Sequence, residues 1–155
     1  MNLHGIGEKI TAEDISNLED KLGISLSLDY KEFLLKNNGG YLDDFLCTNT
    51  FTETDPESNK TFSQSTNVDK FYSLEEVLEE YEENLDDPII PEKFAGIAYD
   101  SNGNQILLCA DDSENNGKIY FANHELYDPE TDYWVLSVIA DSFTEFLNSL
   151  HEFDE

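Results

Sequence analysis

Three short apolar runs separated by turn residues occupy the middle of the chain, at 94–99, 105–110 and 118–122. Runs of this length with turn signals between them predict a β-meander. Asn102 and Gly103 fall in the first gap, and both tolerate the positive φ that hairpin turns need. Residues 106–109 are apolar at every position, which predicts a strand covered on both faces and hence helices against the sheet.

Helical spacing takes over on either side. In 10–23, Ile15, Leu18 and Leu22 share a face, Thr11 can cap the start and Gly23 ends it. Ser27 can cap a second helix, with Tyr30, Phe33 and Leu34 at i, i+3 and i+4, and 37–40 stop it. Ser73 and Glu76 have capping-box spacing at the head of a third helix. There, Leu74, Val77, Leu78, Tyr81 and Leu85 predict one buried face. Ser142 caps a last helix and Glu145 completes its box, with Phe143, Phe146, Leu147 and Leu150 inward.

Residues 45–51 read as a strand, and 133–136 as another after an acidic turn over 126–132. The third meander strand ends at 123–125. The polar stretch 52–70, with Pro56, reads as an exposed loop with a short extended piece near Phe62, long enough for recognition. The order of elements predicts an α+β fold, a central, largely antiparallel sheet with helices packed against it.

Length predicts one domain, since 155 residues can bury roughly 70% of their unfolded surface. Charge changes the picture more. Thirty-five acids face eight lysines and no arginine, a net charge of -27. Such a chain repels DNA and anionic lipid and is steered towards cationic partners. Nucleic acid and membrane are therefore not expected as partners. The same charge also serves plain solubility or adaptation to salt.

Much of the charge sits on the third helix. Glu75, Glu76, Glu79, Glu80, Glu82, Glu83, Asp86 and Asp87 cover the faces its apolar stripe leaves, with no base between them. Like charges at i,i+4 cost a few tenths of a kcal/mol per pair, and the late ones sit at the negative end of the helix dipole. A cationic partner relieves that repulsion; a solvated face merely tolerates it. Asp111, Asp112 and Glu114 form a second acidic edge.

Candidate chemistry is sparse. His4, His124 and His151 lie far apart without metal spacing. His124, beside Glu125 at a strand end, is a formal candidate base, but a structural or surface role suits it better. Asp100, Asn102 and Asn104 imitate the first ligands of a calcium loop. Gly103 is misplaced for such a loop, and Asp111 stands where a bidentate Glu belongs. Gly39 and Gly40 lack the following helix and Lys-Ser/Thr of a phosphate loop. Cys47 and Cys109 lack CxxC spacing and read as buried free thiols of a reducing compartment. No catalytic motif, metal site or cofactor is expected, and without arginine bidentate phosphate recognition is missing. The N-terminus lacks the basic and apolar regions of a signal peptide, and no apolar run approaches the roughly 20 residues of a membrane span. A cytoplasmic protein is expected.

Taken together, several segments resemble one family. Ile15, Leu18, Glu19, Leu22, Gly23, Ile24 and Leu26, then 29–34 and Asn38, Gly39 and Gly40, resemble the opening of the SUKH superfamily. This is the group of domains similar to fungal cell-wall-assembly regulators. Residues 97–100 and 103–108 resemble its central strands; 117–121 with His124 and Glu125, and 139–143 with Phe146 and Leu147, resemble its closing segments. The match is collinear over most of the chain. It departs where Ser27 follows Leu26, a place at which the family usually has Leu-Pro.

The resemblance implies one α+β domain over 1–155, with a core at about 10–150, an exposed loop at 52–70 and an acidic tail at 151–155. It implies a non-enzymatic immunity protein that binds and neutralises a cognate toxin, often a nuclease. It supplies no catalytic residues. The expected partner is a cationic toxin domain, met by Glu76, Glu79, Glu80, Glu83, Asp86 and Asp87, with Asp111, Asp112 and Glu114 as a second edge. The alternatives are an intracellular regulatory or scaffold module without a toxin, as the fungal relatives imply, and a hydrolase using His124.

Overall fold

The helical stripes fold as their spacing dictates in the computed structural model, which describes residues 1–152. After β1 (Leu3–His4), α1 (Ala12–Leu22) buries Ile15 and Leu18. Thr11 and Asp14 form a reciprocal capping box at its head, and Gly23 closes it at φ 67°. Next, α2 (Leu28–Lys36) buries Tyr30, Phe33 and Leu34. Then come β2 (Gly40–Leu42), β3 (Leu46–Cys47), β4 (Phe51–Thr54), β5 (Thr61–Gln64) and β6 (Lys70–Phe71). They are followed by α3 (Leu74–Asp86), β7 (Phe94–Tyr99), β8 (Gln105–Cys109), β9 (Ile119–Tyr127), β10 (Trp134–Ala140), α4 (Phe143–Ser149) and β11 (His151–Glu152).

Seven strands form one sheet in the order β1-β2-β6-β7-β8-β9-β10, with every pairing antiparallel. The expected meander is its centre. The fold is α+β, with four helices and this sheet. Side chains alternate between faces along a strand. On β8, Ile106 and Leu108 join the large core with residues of α1, α2 and α4, including Phe143 and Phe146. Leu107 joins a smaller cluster on the other face, with Ile90 and Ala122. Ile89, Phe94, Tyr120, Trp134 and Leu136 surround that cluster. Both faces of β8 are thus covered, but only one by the main helical layer. The other is covered largely by the connection that follows α3.

The structure corrects several expectations. Residues 45–51 are not one strand. Phe45 is exposed, β3 is two residues long and pairs with β11, and a new strand starts at Phe51. The presumed loop 52–70 contains most of a β4–β5 hairpin. Phe51 and Glu53 face inward while Thr52 and Thr54 face solvent. That period-two pattern is hidden in the sequence because one inward residue is a glutamate. Glu53 is fully buried, and both its oxygens accept from Asn123 Nδ2 at 3.2 and 3.1 Å.

Three further boundaries and one stripe shift. β9 continues to Tyr127 rather than ending by residue 125, and β10 runs to Ala140 rather than Leu136. The start of the supposed tail, His151–Glu152, pairs with β3; the rest of that tail lies outside the described residues. Leu85 is exposed rather than buried, one turn past the buried Tyr81. Ser27 makes no capping bond and instead donates to Asp29 Oδ1 at 2.7 Å. Asp29 reaches across to the head of α4 and accepts from the Thr144 amide at 2.9 Å. Ser142 does cap α4 by accepting from the Glu145 amide, without the return bond of a full box. Cys47 and Cys109 are buried and free, and burial pushes both thiols above the ordinary value.

Candidate protein-binding groove

Helical spacing sorts the acids of α3 into stripes. Leu74, Val77 and Tyr81 point into the core. Glu76, Glu80, Glu83 and Asp87 follow at i, i+4, i+7 and i+11 along one flank. Glu79 and Asp86 lie fully outward and exposed.

The expected patch of six is therefore not a uniform surface. Glu76 is committed to the fold. It accepts from the Ser73 amide at 3.0 Å to close the capping box and pairs with Lys70 at 2.8 Å. Burial pushes its carboxyl up, but those bonds outweigh burial and hold it below the ordinary value. On the other flank, Glu82 meets Lys21 of α1 at 3.8 Å. So two lysines do address these acids, which the local sequence of the helix does not reveal.

Glu80, Glu83 and Asp87 have no basic nitrogen within 4.0 Å among the described residues. Together they form one wall of a groove of about 250 Å³. Phe94 and Gly96 of β7 and Gln105 of β8 make its floor, and Ile89 and Ile90 close one end. Glu80 is half-buried and receives only a long contact from Gln105 Nε2, at 3.5 Å. Burial, then the negative charges of Glu83, Glu76 and Glu79, raise its carboxyl above the ordinary value.

Asn84 shapes the groove. Its Oδ1 accepts from the amides of Ile89 and Ile90 at 2.8 and 3.1 Å, and its Nδ2 donates to the Ile90 carbonyl at 2.9 Å. The strap that follows α3 is further tied to the far edge of the sheet, where the Trp134 amide donates to the Ile89 carbonyl at 2.8 Å. Gly96 makes room for the Gln105 side chain: a Cβ there would sit 2.8 Å from Gln105 Oε1. Asn84, Ile89, Ile90, Phe94, Gly96 and Gln105 were not singled out as site residues by sequence. A glycine inside an apolar strand was the available signal, since it often marks a close approach.

The second acidic edge belongs to the β8–β9 connection. Asp111 Oδ1 accepts from the Ser113 amide and hydroxyl at 2.9 and 2.6 Å, bonds that hold its carboxyl below the ordinary value. Ser25 Oγ donates to Asp112 at 3.4 Å, and Asn116 Nδ2 donates to the Ser25 carbonyl at 2.8 Å. The loop thus leans on the α1–α2 link, Glu114 is exposed, and no hydrogen bond joins the loop to the acids of α3 among the described residues.

His124 packs against the β7–β8 turn. Its Nδ1 lies 2.6 Å from Asn104 Oδ1, an amide, and its Nε2 lies 3.9 Å from Glu125. Behind it sits a polar cluster the sequence disguised as a calcium-like loop. Asp100 is 2% exposed. Its Oδ1 accepts from the amides of Asn102 and Asn104, and its Oδ2 from Thr66 Oγ1 and Asn104 Nδ2, all at 2.6 to 2.9 Å. Those four donors occupy the carboxylate with the turn itself. Among the described residues no group of His, Cys, Asp and Glu could hold a metal ion.

Residues 9–149 match the SMI1/KNR4 family (SUKH-1), and the chain belongs to that family. It is also similar to YokK, an SPbeta prophage-derived uncharacterized protein of Bacillus subtilis strain 168. The two are 34% identical over 155 residues, covering 90% of this chain and 74% of that protein. No solved structure matches at a significant level. Membership suggests a protein of the immunity type, in a family that is generally non-enzymatic. No helix among the described residues is long and apolar enough to cross a membrane.

Proposed function

We propose that this chain is a cytoplasmic immunity protein that binds and neutralises a cognate toxin domain without catalysis. The partner is a cationic domain, and a nuclease fits best, because a cleft that holds phosphates is basic. The carrying observation is the groove under α3, where Glu80, Glu83 and Asp87 stand without a basic partner among the described residues, beside a floor of Phe94, Gly96 and Gln105. Unpaired acids at a rim speed association with a basic surface, and a partly buried centre slows release. Glu79 and Asp86 extend the same field outward. Asp111, Asp112 and Glu114 belong to a separate edge that adds steering.

The test is co-expression with any toxin-like domain found encoded beside this gene, followed by pull-down at low and moderate salt. Growth rescue together with a complex that weakens as salt rises is expected. Soluble chain, dead cells and no complex would overturn the reading and leave a regulatory or scaffold module in its place.

A further inference from the structure

The groove beneath α3 has two unlike surfaces, and their combination specifies what enters. One wall carries Glu80, Glu83 and Asp87; the floor is Phe94, Gly96 and Gln105, and the end Ile89 and Ile90. At about 250 Å³ the space falls below the usual 300–1,000 Å³ of pockets for drug-sized ligands. One protein side chain is the right scale.

We propose, resting on the toxin-binding reading, that this groove takes a single lysine or arginine side chain of the partner. The aliphatic stem lies on Phe94 and Ile89, and the charged head meets Glu80, Glu83 and Asp87. Long basic side chains have this division between apolar stem and charged tip.

Three observations support that occupant. Lys70 pairs with Glu76 and Lys21 approaches Glu82, whereas Glu80, Glu83 and Asp87 have no basic partner among the described residues. Gly96 leaves room for the Gln105 side chain to fold over β7, with Oε1 2.8 Å from where a Cβ would sit, so the groove is lined by an amide beside its apolar residues. The strap at Ile89 and Ile90 is pinned by Asn84 and Trp134, so the groove exists before the partner arrives. Preorganisation of that kind removes part of the ordering cost of binding.

The probe is a tetralysine peptide, titrated into the isotopically labelled full chain and followed by backbone amide shifts. Saturable shifts centred on Asn84, Ile89, Gly96 and Gln105 are expected. The combined variant Glu80→Gln, Glu83→Gln and Asp87→Asn should weaken binding by roughly ten-fold, as three partly desolvated charge contacts would. The variant Glu13→Gln, Asp20→Asn and Asp44→Asn, at exposed positions that do not line the groove and with the same change in net charge, should bind nearly as well. Shifts spread evenly over the acidic surface, or equal weakening by both variants, would overturn the proposal. So would the same localised shifts with magnesium chloride alone at matched ionic strength, which would make the groove a cation site. A groove that takes the peptide while the toxin stays active would sink the immunity reading alone. Neutralisation untouched by the groove variant would sink the groove alone.

Discussion

Glu80 and Asp100 are both shielded carboxylates, and the fold treats them oppositely. Asp100 receives four donors, so its burial is compensated. Truncating it strands Thr66 and Asn104. Asp100→Ala should cost about 1–3 kcal/mol, read as a lower urea midpoint with an unchanged slope. Glu80 has no such compensation, and its carboxyl is held above the ordinary 4.5 by burial and then by neighbouring acids. The folded state therefore holds that proton more tightly than the unfolded chain does. The stabilising effect of protonation is complete below about pH 4.5 and is lost as pH rises through the raised folded value. Glu80→Gln should flatten that decline and add a few tenths of a kcal/mol at neutral pH, the scale of the like-charge contacts it removes. A steeper decline in the variant's pH–stability curve would contradict this.

At the scale of elements, what the sequence made legible follows from periodicity. The apolar meander and the stripes of α1, α2 and α4 announce themselves, because burial there is by hydrophobic residues at fixed spacing. The β4–β5 hairpin does not, because Glu53 occupies an inward position and only Asn123, seventy residues away, makes that tolerable. The groove was half legible. Its acids stand out as a run, but their division into lysine-paired and free sets depends on Lys21 and Lys70, which lie outside the helix. Its floor depends on strand register, and its end on a strap whose hydrogen bonds come from Asn84. That last point is testable. Asn84→Ala should release the strap at a cost of about 1–3 kcal/mol and raise hydrogen exchange at the Ile89 and Ile90 amides. Unchanged protection there would remove Asn84 from the account.

The whole molecule carries a net charge of -27, which repels itself as well as other anions. Raising salt from about 0.01 M to about 0.15 M shortens the screening length from about 30 Å to about 8 Å. The chain should therefore resist urea better as salt rises over that range, while its association with a basic partner slows. Stability and binding moving in the same direction with salt would separate the charge from its proposed use. Family membership, the acids of α3 and the preformed groove are what support the proposed reading, inhibition by occupation rather than by chemistry.

The most direct measurement is a titration of a candidate cognate toxin domain with the purified chain, following the toxin's own activity. The account predicts activity falling linearly to zero near one equivalent, with a shallower curve for the Glu80, Glu83 and Asp87 variant at moderate salt. Full activity at a molar excess of folded chain would contradict it.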